Sequence, residues 1–158
     1  MNDTSTVGRP RFGVTRMLVV ALVVAASVML APSQAKADPS DDASVAVALV
    51  NQARWANGLG GLMPDRELQI LANRQANRMA AAGYIFHSGN LEGQLSAGWW
   101  GWAENVGYGP SVGWIHDAFM NSPHHASNVL NGSFNYVGVG VAYGWDGTVY
   151  VAQVFGAW

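Results

Sequence analysis

The most obvious absence in this chain is cysteine, of which it has none. Lysine is nearly absent too, since Lys36 is the only one, and no lysine or arginine follows Arg78. Without cysteine there are no disulfide bonds, so the stability of the protein must come from its packed core. Without a basic second half there is no surface to neutralise a row of phosphates, which argues against nucleic acid as a partner.

Long apolar runs are also scarce, and the one that exists lies near the start of the sequence. It spans Met17 to Ala31 and is apolar except for Ser27. A membrane-spanning helix needs about 20 such residues, so the run is short for that purpose. Arginines precede it and the small-x-small pattern Ala35-Lys36-Ala37 follows it. Together these features predict a secretory signal over residues 1–37 that is cleaved on export, with a retained anchor as the alternative.

The rest of the sequence has the length of one domain. We interpret residues 38–44 as a polar lead-in and residues 45–158 as a single domain. From residue 38 onward four arginines stand against nine acidic residues, a formal charge of −5 with neutral histidine. This charge disfavours anionic lipid surfaces as well as nucleic acid, and no second apolar span is present. We therefore expect a secreted monomer with no membrane span in its mature form.

Four segments of the sequence carry the signals of helices. The first predicted helix, Ala43–Ala56, repeats apolar residues at a helical period. The second begins after Asp65, a good N-cap residue, and ends at Gly83. The third and fourth begin after Ser111 and Ser122, and the fourth has proline at its first position, where proline is well tolerated.

The last third of the sequence changes to the two-residue period of β-strands. Tyr136–Tyr143 and Thr148–Phe155 flank the turn residues Trp145-Asp146-Gly147, which predicts a β-hairpin. Gly138 and Gly140 share one face of the first strand, where another element could approach the backbone closely. We predict irregular structure between the second and third helices. Helices followed by strands indicate the α+β class, with helices packed on a mainly antiparallel sheet.

Polar residues in apolar or glycine-rich surroundings are the candidates for chemistry. They are His87, Glu104 and the adjacent His124 and His125. Two histidines and one carboxylate are a usable ligand set for a divalent metal such as zinc. The alternative is that His87 and Glu104 only satisfy buried backbone groups. Neighbouring residues on a helix point about 100° apart, so at most one of the two adjacent histidines faces a shared site.

Other features of the sequence have both a structural and a functional interpretation. Ser111 lies in Gly-Pro-Ser-Val-Gly, which matches the nucleophile elbow GxSxG, but without a buried strand before it we favour a helix N-cap. His116 is predicted to lie at the edge of its helix. The tryptophans Trp99, Trp100 and Trp102 either cover the core or stack on a sugar or lipid, and we favour core cover.

Four segments together carry a resemblance to a known family: LVNQARWANGLGGLMPDRELQILANRQANRMAAAGYIFHS, AENVGYG, FMNSPHHASNVLN and FNYVGVGVAYGWDGTVYVAQVFG. In this order they resemble the CAP, or SCP-like, superfamily, which includes cysteine-rich secretory proteins, antigen 5 venom allergens and plant pathogenesis-related proteins. The bacterial branch is the most similar. The resemblance covers about Val45 to Gly156 and implies a three-layer α-β-α sandwich with a central antiparallel sheet.

The resemblance also implies a cavity lined by two histidines and up to two acids, which in some members resembles a divalent-metal site. The first histidine of the family pattern matches His87, and the glutamate of its Glu-Asn pair matches Glu104. The second histidine matches His125, because His124 stands where bacterial members have glycine. On this basis His87, Glu104 and His125 are our metal-ligand candidates, and Glu104 is also the candidate catalytic residue.

Three further residues complete the predicted site. We add Trp102 to the residues of the cavity. Asn128 matches a family asparagine and is assigned a structural hydrogen-bonding role. Ser122 stands near the place of the second acid of eukaryotic members, and because serine is a poor metal ligand we assign it a structural role as well. A fourth protein ligand for a metal is then missing.

Three functions are compatible with these residues. The first is a secreted domain that binds a lipid, a sterol or an envelope component, and the resemblance supports it because lipid or sterol binding is ascribed to several members. The second is a metal-dependent hydrolase in which a histidine-bound metal activates water and Glu104 is a ligand or base. The third is an extracellular protein-interaction domain with a purely structural cluster. We favour the first, which is not an enzyme.

Overall fold

The computed structural model describes residues 38–158, so the predicted signal segment and its cleavage site lie outside the described residues. In the described part the chain is a three-layer α-β-α sandwich, as predicted, with helices on both faces of one sheet. None of the helices formed by residues 38–158 combines the length and the apolar character that crossing a membrane requires.

The sheet has four strands in the order β1-β3-β4-β2. Their bounds are β1 Met63–Pro64, β2 Gly101–Gly109, β3 Tyr136–Tyr143 and β4 Val149–Ala157. The predicted hairpin is the β3–β4 pair, which is antiparallel, and β2 pairs with β4 in the same manner. The two-residue strand β1 runs parallel to the start of β3. The sheet is therefore mixed rather than wholly antiparallel, although its three long strands have the predicted orientation.

The helices divide unequally between the two faces of the sheet. Their bounds are α1 Pro39–Ala56, α2 Arg66–Ala82, α3 Val112–Met120 and α4 Pro123–Val129. Helix α2 packs alone on one face, where the buried residues include Leu68, Met79 and Val154. Helices α1, α3 and α4 cover the other face, with Phe119 and Phe155 in their core. Alternation along the strands separates the two cores, because successive side chains point to opposite faces.

Helix α1 begins earlier than the sequence analysis predicted. The polar lead-in assigned to residues 38–44 consists of the N-cap residue and the first six residues of this helix, which starts at Pro39. Asp38 is its N-cap, and the Asp38 carboxylate accepts a hydrogen bond of 2.8 Å from the backbone N–H of Ser40. An aspartate followed by proline at the first helical position is a favourable helix start, and its polarity led to the wrong assignment.

Helix α2 has the predicted ends and the predicted close approach to the sheet. The Asp65 carboxylate accepts hydrogen bonds from two backbone N–H groups of the first turn, and Gly83 ends the helix with a φ of 77°. A Cβ atom added to Gly138 would lie 2.1 Å from a backbone atom of Leu68, and one added to Gly140 would lie 2.2 Å from backbone atoms of Ala72. The prediction that these glycines admit another element is confirmed.

Strand β2 was not predicted, because the segment before the third helix was assigned irregular structure. Residues 101–109 pair with β4 along their whole length. The strand contains glycines and a polar pair at its centre, which are residue types that seldom favour strands. Long-range pairing with β4 forms the strand, and this placement brings Glu104 to its partners.

Candidate functional site

The carboxylate of Glu104 is the centre of the candidate site. Its side chain projects from β2 and is 5% exposed. One carboxylate oxygen, Oε2, lies 2.8 Å from Nδ1 of His87 and accepts a hydrogen bond of 2.8 Å from the backbone N–H of Ser88. The other, Oε1, accepts a hydrogen bond of 2.6 Å from the Ser88 hydroxyl. Three donors therefore compensate this largely buried carboxylate and fix its orientation.

His87 is the exposed half of this pair. Its side chain is 57% exposed, and its Nδ1 points at the Glu104 carboxylate. A carboxylate acceptor selects the tautomer in which Nδ1 carries the proton, which leaves Nε2 with a free lone pair. The structure thus brings together the two predicted residues His87 and Glu104 and gives His87 an imidazole nitrogen that can meet a ligand.

His125 is held in a similar way by a different partner. Its Nδ1 lies 2.8 Å from the Ser122 hydroxyl, and its ring packs against Phe119 with centroids 4.9 Å apart. Burial lowers the pKa of His125 below its ordinary value, and the neighbouring imidazoles of His124 and His87 lower it further. This shift favours the neutral imidazole of His125 at physiological pH, and its Nε2 makes no hydrogen bond within residues 38–158.

Ser122 and His124 behave as neighbours of the site rather than as parts of it. Ser122 occupies the N-cap position of α4 but makes no side-chain hydrogen bond to the helix backbone, and instead holds the His125 ring. His124 is exposed, and its ring lies 6.0 Å from that of His125 at an angle of 75°. The two adjacent histidines therefore present their rings in different directions.

A buried amide network positions the helix that carries His125. Asn105 is fully buried, and its side-chain N–H groups donate to the backbone carbonyl of His125 and to the Gln153 side chain, both at 3.1 Å. Its oxygen accepts a hydrogen bond of 2.8 Å from the Asn128 side chain, which is the kind of contact predicted for Asn128. Sequence analysis gave no role to Asn105, Gln153 or Ser88, although Asn105 and Ser88 adjoin predicted residues.

Two consecutive residues of β2 therefore position the two histidines from opposite faces of the sheet. Glu104 lies on the face that α2 covers and fixes His87, whereas Asn105 lies on the other face and bonds to α4, which carries His125. This arrangement follows from the alternation of side chains along a strand. Because β2 is an edge strand, both histidines can lie near the same border of the sheet.

The three tryptophans around the start of β2 have different environments. Trp99 is buried, and its indole N–H donates to the Glu67 carboxylate at 3.0 Å, so it covers the core as predicted. Trp102 is half-buried on β2, two residues before Glu104 and on the same face. Trp100 is exposed and is a candidate for ligand contact.

Two other sequence features have a structural role. The Ser111 hydroxyl accepts a hydrogen bond of 3.2 Å from the backbone N–H of Trp114, so Ser111 is the predicted N-cap. Strand β2 does precede Ser111, contrary to expectation, but the backbone of Ser111 is extended and lacks the strained conformation of a nucleophile elbow.

His116 does not lie at the helix edge as predicted. It is buried, its Nδ1 has no hydrogen-bond partner among residues 38–158, and burial lowers its pKa.

The predicted three-ligand metal set is not assembled in the described structure. Among residues 38–158, no three His, Cys, Asp or Glu side chains are grouped so that they could hold a metal ion. Both oxygens of Glu104 already accept hydrogen bonds, so Glu104 orients the His87 ring through Nδ1. An imidazole with a carboxylate behind it, the arrangement that recurs at metal-ligating histidines, is present at His87.

The described part of the chain also contains two clefts away from the histidines. One is a groove of about 1100 Å³ between α1 and α2, with β3 as its floor. The other has a volume of about 520 Å³ and lies beside the first turns of α2. The predicted cavity residues His87, Glu104, His125 and Trp102 line neither of them.

Comparisons with known proteins agree on the family and the fold. A family model described as "CAP: Cysteine-rich secretory protein family" matches residues 47–155, which is more than half of the chain. An outer surface protein of Borrelia burgdorferi is similar in structure, with a TM-score of 0.70, 20% identity, and coverage of 78% of this chain and 97% of that one. No curated protein matches the sequence.

Two larger bacterial proteins contain the same fold. A cysteine-rich secretory protein of Staphylococcus aureus gives a TM-score of 0.65 at 25% identity, over 77% of this chain and 40% of that one. An extracellular protein with an SCP domain from Bacillus anthracis gives 0.65 at 23% identity, over 82% and 44%. The present chain thus spans less than half the length of these two proteins.

Proposed function

Because the chain belongs to the CAP family of cysteine-rich secretory proteins, we propose that it is an exported domain that binds a lipid, a sterol or another envelope component at its histidine site. One observation carries this proposal. The Nδ1 atoms of His87 and His125 lie against Glu104 and Ser122, so both rings have a fixed orientation and a free Nε2. Such preorganised polar groups beside apolar surface are typical of ligand sites.

The chemistry around the histidines favours an amphipathic ligand. A neutral imidazole Nε2 accepts a hydrogen bond from a hydroxyl group, such as that of a sterol or of a lipid headgroup. Exposed apolar side chains adjoin the polar centre in sequence, with Tyr84 and Ile85 just before His87 and Trp100 just before β2. Exposed aromatic residues of this kind contribute apolar contact area to a bound molecule.

The names of the structural neighbours support an extracellular location. They describe an outer surface protein, a secretory protein and an extracellular protein. Together with the signal segment predicted for residues 1–37, they support export of this chain. Export would bring the histidine site into contact with envelope lipids.

The test uses the full chain expressed and exported with its own N-terminal segment. Mass spectrometry of the natively purified protein should find a co-purifying apolar molecule, and a fluorescent fatty acid and a fluorescent sterol serve as probes for affinity. We expect His87→Ala and His125→Ala each to weaken probe binding about tenfold, which corresponds to about 1.4 kcal/mol. The matched control is His124→Ala, which should leave affinity unchanged. Equal affinity in all three variants would reject the histidine site as the binding site.

A metal-dependent hydrolase is the second candidate, and one observation favours it. Metal-binding histidines commonly donate their other N–H to a carboxylate, as His87 does to Glu104. A metal held by His87 and His125 would supply a polarised water, and Glu104 would keep the His87 ring oriented. Calorimetry with Zn²⁺ should then show saturable binding that either histidine variant abolishes, and peptide turnover should disappear in Glu104→Gln. Titrations that are identical in wild type and variants would remove this candidate and its metal.

A protein-interaction domain with a structural cluster is the remaining alternative. In that case Glu104 and its donors would only anchor the loop of His87 and Ser88 to β2. The exported protein would then carry no apolar molecule, and the histidine variants would change stability without changing the affinity for either probe.

A further inference from the structure

Within residues 38–158, the second long edge of the sheet is formed by β3 and is open over most of its length. Among these residues, strand β1 alone pairs with that edge, at Tyr136 and Val137. In an antiparallel pair, alternate residues direct their N–H and C=O groups toward the partner, and the others direct them away. On the side away from β4, the Val137 carbonyl accepts a hydrogen bond from the Asp65 backbone N–H. On the same side, the Val139 backbone N–H donates to the Gln69 side chain of α2. The next two residues of this series are Val141 and Tyr143.

Helix α2 replaces the missing strand at one position. The side chain of Gln69 accepts a hydrogen bond of 3.2 Å from the backbone N–H of Val139 and donates one to the carbonyl of the same residue. This amide group makes the pair of hydrogen bonds that a neighbouring peptide unit would make. The edge is therefore chemically complete at Val139 without any added strand.

The same arrangement fails at the following positions because the side chains are too short. Asn73 and Asn77 follow Gln69 at intervals of four residues, a rise of about 6 Å each along a helix. Two residues of a strand rise about 6.8 Å, so Asn73 lies at about the level of Val141 and Asn77 at about the level of Tyr143. Asparagine is shorter than glutamine by one methylene, and both amides bond within α2 instead: Asn73 accepts from the Gln69 side chain at 3.2 Å, and Asn77 donates to the Asn73 carbonyl at 2.7 Å. Within residues 38–158 nothing hydrogen-bonds to the edge-facing backbone groups of Val141.

The space in front of these groups is the groove of about 1100 Å³. Its floor is β3, and Asn73 and Asn77 belong to its α2 wall. The α1 wall carries small side chains at helical spacing, among them Ala43, Ser44 and Val47. Small residues opposite a polar edge leave room for an extended chain, whose backbone would find hydrogen-bonding groups on β3 and amides on α2.

The charge of the groove indicates which chain would fit. Asp38 is on its rim, and none of the residues 38–158 that line it is a lysine or an arginine. Asp42 is close by, where its carboxylate accepts a hydrogen bond of 2.5 Å from the Tyr143 hydroxyl. Burial and this carboxylate raise the pKa of Tyr143 to about 12, so the phenol remains neutral and the aspartates supply the negative charge of the rim. An acidic rim favours a partner with basic residues.

We propose that this groove binds an extended basic segment of another protein, which adds as a strand to the open edge of β3. Its backbone would pair with Val141 and Tyr143, the amides of Asn73 and Asn77 would contact its other side, and a basic residue would meet the Asp38 rim. Strand addition of this kind derives affinity from backbone hydrogen bonds and specificity from side-chain pockets. The site is independent of the histidine site and of its ligand.

The decisive variant is Asn73→Gln in the full chain. One extra methylene lets the amide reach Val141 as Gln69 reaches Val139, which closes the edge without loss of a core contact. The probe is a fluorescein-labelled peptide of alternating valine and threonine with lysine at both ends, measured by fluorescence anisotropy. We expect Asn73→Gln to weaken its binding at least tenfold, while Asn57→Gln, the same change outside the groove, has no effect. Unfolding in urea, measured in parallel, should show Asn73→Gln at least as stable as the wild type.

Two altered peptides and two further variants complete the test. Proline in place of the central valine removes a backbone donor and should abolish binding, and glutamate in place of both lysines should weaken it about tenfold. Asp38→Asn keeps an N-cap residue for α1 and should reduce the preference for lysine over glutamate, whereas His87→Ala should leave peptide binding intact. Hydrogen exchange should show new protection at Val141 and Tyr143 on binding. Unchanged binding by the proline peptide or by Asn73→Gln would overturn the proposal, as would a concentration-dependent dimer that protects the same amides without peptide.

Discussion

The two faces of the sheet are packed by different means. On the face under α2, Gly138 and Gly140 let the helix backbone approach until no Cβ atom would fit. On the opposite face, valine and phenylalanine side chains fill the space below three helices, and polar groups such as Arg54 and Asn105 are buried among them. The comparison teaches that the first face cannot accept an added atom, whereas the second cannot lose a hydrogen bond.

The strongest test of the α2 face is Gly140→Ala. The added Cβ would lie 2.2 Å from backbone atoms of Ala72, and backbone cannot move aside as a flexible side chain can. We expect a loss of about 3 kcal/mol in the free energy of unfolding, measured in urea. Gly113→Ala on α3 is the matched control, because its Cβ would meet nothing within 4 Å. It should stabilise the protein by about 0.5–1 kcal/mol, and equal effects of both changes would contradict the close-packing argument.

On the opposite face the largest effect is expected from Arg54→Lys. Arg54 is 2% exposed, and its guanidinium donates to four backbone carbonyls, those of Gly60, Val129, Asn131 and Phe134. A lysine ammonium cannot span these acceptors, so buried carbonyls would lose their partners. The expected loss is about 2–3 kcal/mol in the same measurement. Arg66→Lys, on an exposed position of α2, should change stability by less than about 0.5 kcal/mol, and a comparable loss there would show that the change from arginine itself is responsible.

A third variant, Asn105→Ala, connects this face to the histidine site. It removes the partner of Gln153, of Asn128 and of the His125 carbonyl, for an expected cost of about 1–2 kcal/mol. Because α4 loses its anchor to β2, the ring of His125 should become more exposed. An NMR titration should therefore find its pKa nearer the ordinary value than in the wild type. If stability falls while that pKa stays the same, the network holds the core and has no influence on the site.

The smallest expected effect concerns pH and His116. Burial lowers the pKa of His116, so the folded protein favours neutral imidazole more than the unfolded chain does. The resulting stabilisation is present above about pH 6.5, the ordinary pKa, and is lost as the pH falls through the lowered value. His116→Gln should make stability less dependent on pH between 7 and 5, as measured by urea unfolding at each pH. His124→Gln, which changes an exposed ring, is the control and should leave that dependence as in the wild type.

The fold was predictable from the sequence where local signals determine structure. Asp65 and Gly83 mark both ends of α2, and alternating valines with a turn at Asp146-Gly147 mark the β3–β4 hairpin. Strand β2 was missed because its residues have weak strand preference and it forms only through pairing with a strand more than 40 residues later in the sequence. The start of α1 was missed although Asp38 and Pro39 are a favourable pair of residues for a helix start.

The candidate site was predictable only in part. Resemblance to the family selected His87, Glu104 and His125, and the structure brings the first two into contact. Ser88 and Asn105 were missed because their roles depend on which face of β2 each neighbour occupies. The burial of His116 depends on how α3 sits on the sheet, which the pattern of a single helix cannot indicate. Metal binding stays a prediction, and the two imidazole nitrogens are where it can be tested.

The dipeptide Glu104-Asn105 has one more consequence, for the alignment of strands during folding. A slip of β2 by one residue against β4 would exchange the two faces, placing the carboxylate in the apolar core and the amide beside His87. The misaligned strand would bury an uncompensated charge, which is costly, and would separate α4 from its anchor. A glycine-rich edge strand would otherwise align loosely. These two neighbouring polar side chains therefore disfavour every register of β2 but the native one, and the histidine site can be complete only in a correctly aligned sheet.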